Sequence, residues 1–174
     1  MRLRAKALCP SFLSLGDDDS RGGGNEPVGT LRMKQRVCSL VPEKNFLPKD
    51  GTVLRAKHDQ WSCYALAEME AWLWSSAKHT FLYPESERVP AVVDANSREF
   101  IKSASVIDNV LAKQVSILGN DFSFTDINVG YTLNWGRCFG LTGDFAHINA
   151  YLNRLAERPA SPLREQTDFF ASPR

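Results

Sequence analysis

The sequence has no C-x-x-C pair, and its four cysteines, Cys9, Cys38, Cys63 and Cys138, fall at unrelated spacings. In a chain of 174 residues that density builds no disulfide framework, so a reduced, cytoplasmic protein is expected. Histidine is as scarce: His58, His79 and His147 lie far apart and make no metal-ligand set with the cysteines. Neither sign of charge dominates, with Lys+Arg at 21 and Asp+Glu at 20. Nucleic-acid binding rests on a concentrated positive surface, so this balance argues against a nucleic-acid partner. No apolar run approaches the length of a bilayer-spanning helix, so no membrane partner is expected either. The N-terminus starts like a targeting segment, with Arg2, Arg4 and Lys6 ahead of apolar residues. Pro10 and Ser11 interrupt it, and no clear small-residue cleavage site follows.

What is present falls into two unlike parts. Residues 1–44 read as an irregular arm. The run Asp17-Asp18-Asp19-Ser20-Arg21-Gly22-Gly23-Gly24-Asn25 is charged, glycine-rich and without periodicity, and cannot bury enough to offset its ordering entropy. A short helix or strand fits around Thr30 to Leu40. Cys9-Pro10-Ser11-Phe12 has the letters of a thioredoxin-like Cys-Pro corner. A reactive cysteine there needs a strand before it and a helix N-terminus after it. Leu13-Ser14-Leu15-Gly16 and three aspartates supply neither, so Cys9 is expected to be a free thiol in the arm.

From residue 45 to 160 the pattern is helical, and 43% of the chain is hydrophobic, enough for a real core. Thr52 is placed to cap a first helix carrying Leu54, Trp61, Ala65, Met69 and Trp72 at near-helical spacing. Leu66, Ala67, Ala71, Leu73 and Trp74 widen its apolar face, which suits a central helix. It should end before Pro84. Pro90 fits the first turn of a second helix, with Val93, Phe100, Ala104, Ile107 and Leu111 as its stripe. Asn96, Arg98, Glu99, Lys102 and Asp108 mostly lie off that stripe. Ser123-Phe124-Thr125-Asp126 is a capping box for a third helix, with Phe122 and Ile127 at the hydrophobic-staple positions. Ile127, Tyr131, Asn134 and Cys138 are expected along one face of it, and Gly130 allows a neighbour to approach closely. Gly140 and Gly143 close this helix. Asp144 is placed to cap a fourth, with Ile148, Leu152 and Leu155 buried and Pro159 as its stop. The expected fold class is all-α, a helical bundle with short connections. The tail, 161–174, is proline- and serine-rich and expected to be loose.

Three passages resemble the C-terminal helical domain of bacterial glutathione S-transferases. Trp72-Leu73-Trp74-Ser75-Ser76-Ala77-Lys78-His79-Thr80-Phe81-Leu82-Tyr83-Pro84-Glu85, continued by Arg88-Val89-Pro90-Ala91-Val92, is similar to one subgroup's first-to-second helix turn. Leu118 to Tyr131 resembles the family's folding motif, a loop feeding a capped central helix. Tyr151 to Ala160 resembles its last core helix and Arg-Pro stop. Val41-Pro42-Glu43-Lys44-Asn45-Phe46-Leu47-Pro48 is similar to the family's interdomain linker.

The resemblance implies a transferase in which glutathione thiolate attacks an electrophilic carbon held between two domains. It also implies a thioredoxin-like half ahead of the linker, which binds glutathione through a thiolate-stabilising Ser, Tyr or Cys, a Val-Pro with a cis peptide, and an acidic-Ser pair that starts a helix. None of these features is recognisable before Val41; Asp19-Ser20 is followed by Arg21 and glycines rather than a helix. Little or no activity is therefore expected of this chain alone, and glutathione binding is an open expectation. By analogy the later part of the first helix faces the cleft, which makes Trp72, Ser76 and His79 the expected lining. His79 has no evident carboxylate partner as a general base. The family also pairs subunits through its first two helices, so a homodimer through residues 54–74 is expected. Two alternatives stand beside the enzyme: a non-catalytic dimerisation or docking module, and a truncated or mis-started gene product.

Overall fold

The computed structural model describes residues 38–159 together with Ser161 and Leu163. The expectations for Cys9, for the arm before Cys38 and for most of the tail lie outside the described residues. Within them the chain is helical, with four main helices and no strand.

The first helix, α1, runs unbroken from Val53 to Leu82. Thr52 opens it: its backbone is extended and its side-chain oxygen accepts from Arg55 N–H at 3.2 Å. An α segment, Val53–Tyr64, passes into a π segment, Ala65–Glu70; a second α segment, Ala71–Ala77, ends in a second π segment, Lys78–Leu82. The widening follows from the sequence. Ala65, Met69, Leu73 and Ala77 are all buried and recur strictly every four residues. In an α-helix that spacing drifts by roughly 40° per step. Wider π turns take up the drift and keep all four against the core. Tyr83 then takes an extended backbone, as the residue before a proline must, and α1 stops.

The second helix, α2, spans Pro90–Leu111 with the proline in its first turn. Phe100, Ala104, Ile107 and Leu111 are buried as expected. Asn96, expected on the solvent side, is also buried, because it lies four residues ahead of Phe100 on the same stripe.

The third helix, α3, spans Phe124–Cys138. Gly140 ends it with a positive φ of 75°. Leu141 N–H bonds Gly136 O at 3.0 Å and Gly140 N–H bonds Arg137 O at 2.9 Å, the paired arrangement that satisfies the last carbonyls of a helix. Its buried face differs from the expected one. Thr125, Asp126, Val129, Gly130, Thr132, Leu133, Asn134 and Gly136 are buried, whereas Ile127 is 42% exposed. The face turned inward carries polar groups with partners inside the protein, which a purely apolar pattern does not reveal.

The fourth helix, α4, spans Ala146–Ala156, with Ile148, Leu152 and Leu155 buried. Asp144 does not cap it. The cap residue is Phe145, which makes no side-chain cap bond. The carboxylate comes instead from α2: Asp108 Oδ1 accepts from Ile148 N–H at 2.9 Å, and its Oδ2 lies 3.1 Å from His147 Nδ1. A negative charge at a helix N-terminus is favourable wherever in the chain it originates. α1 packs along α2 and against α3, and α4 closes the bundle against α2 and α3. Leu163, in the tail expected to be loose, is buried in the same core cluster.

Candidate functional site

Two places in this bundle concentrate chemistry. The first is the start of α3. Ser123 and Asp126 form a reciprocal capping box. Asp126 is fully buried and does more than cap. Its Oδ2 accepts from Ser123 N–H at 2.8 Å and from the Ser123 hydroxyl at 3.0 Å. Its Oδ1 accepts from Ile117 N–H at 2.8 Å, in the incoming loop, and from the Tyr151 hydroxyl at 2.9 Å, on α4. Burial, reinforced by this carboxylate, pushes the Tyr151 hydroxyl well above the ordinary phenol range. One residue earlier, Thr125 Oγ1 lies 2.7 Å from Nδ1 of the fully buried His58 on α1. Burial lowers the pKa of His58; Asp59 opposes that shift and Arg55 adds to it.

Phe122 lies just outside the box, edge-on to Phe46 at 6.3 Å between ring centroids, with the Arg158 guanidinium 3.5 Å from its own centroid. Phe46 O also accepts from Phe124 N–H at 2.8 Å, so the segment entering the bundle is tied to the first residue of α3. This corner therefore joins the entering chain, α1, α3 and α4 through satisfied polar groups. It has the character of a structural centre, because each polar group named in it is already engaged.

The second place is an open cleft of about 630 Å³ at the C-terminal end of α1, lined by Ala71, Trp74, Ser75, Lys78, His79 and Tyr83. Trp74 stands edge-on to Trp135 of α3 at 5.2 Å. Tyr83 stands edge-on to His79, also at 5.2 Å. The turn beneath them is held by Arg88, whose Nε donates to Tyr83 O at 2.8 Å and Nη2 to Phe81 O at 3.2 Å. His79 Nδ1 accepts from Val89 N–H at 3.2 Å. A backbone amide can only donate, so the neutral ring carries its proton on Nε2.

Of the three side chains expected to line a cleft, His79 is at this one. Trp72 is partly buried against the core, and Ser76 is buried, its backbone oxygen accepting from the Thr80 hydroxyl at 2.7 Å. Ala71, Ser75, Lys78 and Tyr83 were not among the expected residues. Among the described residues no group of His, Cys, Asp and Glu could hold a metal ion, and no helix is long and apolar enough to cross a membrane.

Residues 69–159, more than half of the chain, match the family described as glutathione S-transferase, C-terminal domain. The chain belongs to the glutathione S-transferase family. No curated protein sequence matches it. Solved structures with the same fold include the ternary complex of BphK, a bacterial glutathione S-transferase, at 18% identity and a TM-score of 0.70, covering 86% of this chain and 70% of that one. The glutathione transferase of Methylococcus capsulatus str. Bath matches at 22% identity and a TM-score of 0.65, covering 80% of this chain and 66% of that one. The theta-class enzyme of Xanthomonas axonopodis pv. citri, with glutathione bound, matches at 23% identity and a TM-score of 0.60, covering 71% of this chain and 66% of that one. The chain thus spans about two thirds of the length of these transferases. At such identities the likeness establishes the fold. In this glutathione S-transferase family chain, the start of α3 is held by bonds from Ile117, Ser123 and Tyr151 to Asp126.

Proposed function

We propose that this chain supplies the electrophile-side wall of a glutathione transferase site. The observation that carries the reading is the aromatic-walled cleft at the end of α1, where Trp74 and Tyr83 are each held edge-on by a second ring. In the family reaction the thiolate is presented from the thioredoxin-like half. No motif of that half is recognisable in residues 1–40. The purified full chain is therefore expected to be folded and helical, to give no saturable heat on titration with glutathione, and to conjugate a dinitrophenyl halide no faster than glutathione does in solution. Saturable one-to-one glutathione binding would overturn the inactivity and place a glutathione site in residues ahead of the linker.

A second reading, a pairing module, is favoured by large apolar side chains left in solvent on the two leading helices. On α1 these are Val53 at 76% exposure, Leu54 at 44% and Leu66 at 37%; on α2, Ile101 and Val106 are each 42% exposed. Scattered exposed apolar residues are ordinary, but they also mark surfaces that a second copy covers. Sedimentation equilibrium is expected to show a dimer that Leu66→Glu weakens. A chain that stays monomeric at every concentration would remove this reading.

A further inference from the structure

We infer that the cleft at the end of α1 selects aromatic ligands carrying an anionic group, of the aryl carboxylate class; the inference rests on the electrophile-wall reading and adds a substrate class to it. Two features of the lining carry it. The walls are aromatic and fixed: Trp74 by Trp135, Tyr83 by His79, and the turn bearing Tyr83 by two bonds from Arg88. A flat ring has preformed faces to lie against at little cost in side-chain ordering.

The polar part of the lining is one-sided. Ser75, Lys78, His79 and Tyr83 carry its polar groups, and no carboxylate belongs to the lining. The Lys78 ammonium makes no ion pair with a described residue. His79 has its Nδ1 engaged as an acceptor by Val89 N–H, so its remaining ring nitrogen is a donor. An ammonium, an imidazole N–H and the Ser75 and Tyr83 hydroxyls all offer donors. A carboxylate on the ring would accept from them, whereas a cation would meet only Lys78 of like sign.

The test uses the full chain and two ligands of the same shape, p-nitrobenzoate and neutral p-nitrobenzamide, with binding followed by quenching of tryptophan fluorescence. The benzoate is expected to bind about fivefold more tightly than the amide at low ionic strength, the scale of one exposed, charge-assisted contact. Added salt should shrink that preference, because an exposed pair is screened. Lys78→Gln should abolish the preference, because the benzoate then loses its only charged partner. Equal affinity for the two ligands, or a preference that survives Lys78→Gln, overturns the inference but leaves the aromatic cleft standing. Binding of neither ligand overturns both the inference and the reading beneath it.

Discussion

Replacing Asp126 by Ala is expected to cost the bundle about 3–4 kcal/mol, well beyond the ~1 kcal/mol typical of a lost helix cap. The difference lies in what the carboxylate holds. A simple cap residue satisfies amides at a helix end that water could otherwise reach. Asp126 has no exposed surface, and its removal leaves Ile117 N–H and Ser123 N–H without their acceptor in a buried place and the Tyr151 hydroxyl with only its longer bond to the backbone oxygen of residue 126, at 3.3 Å. Each such orphaned donor costs roughly 1–3 kcal/mol, partly recovered because a buried charge has also been removed. Asp126→Asn keeps one acceptor oxygen and turns an NH2 group toward other donors, so it should fall between parent and Ala. Urea unfolding midpoints of the three proteins check the order. A loss near 1 kcal/mol for Ala would mean that the bonds to the loop and to α4 contribute little, and that the group acts only as a cap.

Much of this centre was legible beforehand. Ser-x-x-Asp ahead of an apolar run is a spacing signal, and it marked the start of α3 without reference to any distant residue. What could not be read was the company Asp126 keeps. Ile117 lies nine residues earlier and Tyr151 twenty-five later, and no local pattern couples such positions. The same limit explains α4. Asp144 stood at the right distance from an apolar stripe, but a carboxylate thirty-nine and forty residues upstream, Asp108, took the task. Hydrogen bonding in space overrode sequence proximity in both cases.

The cleft lining was expected by analogy with the family rather than from a local pattern. The expected lining, Trp72, Ser76 and His79, has the spacing of one helix face. Ala71, Ser75 and Lys78 have the same spacing, displaced by one residue, and these line the cleft together with Trp74. His79 lines it as well, so the two sets overlap at one residue. The π segments themselves were legible in the fourfold recurrence of Ala65, Met69, Leu73 and Ala77, since a uniform α-helix does not hold that spacing on one side.

The second large effect is expected at Gly136, and it turns on which side chain stands opposite. Ala is the better helix former by about 1 kcal/mol, so a helix interior would ordinarily gain from the exchange. At Gly136 an added Cβ would run into Cζ of Phe100, and the neighbouring ring carbons are also close. Phe100 is fully buried on α2, and its flat, rigid ring has no space into which to withdraw. Overpacking of this kind costs about 1–3 kcal/mol or more, and with a ring as the obstacle the clash outweighs the propensity gain, for a net loss of about 2 kcal/mol. Gly130 is the control. There the added Cβ meets Cδ1 of Leu155, the far end of a flexible side chain near the edge of the core, which can turn away. Gly130→Ala should therefore stay within about 1 kcal/mol of the parent. Phe100→Leu shortens the obstacle, so the double variant Gly136→Ala, Phe100→Leu should be more stable than the sum of its single losses implies, with a coupling of about 1 kcal/mol. Strict additivity in that cycle would show that the glycine is there for some reason other than the ring. A positive coupling would establish that the approach of α3 to α2 at this point is set by one glycine under one phenyl ring.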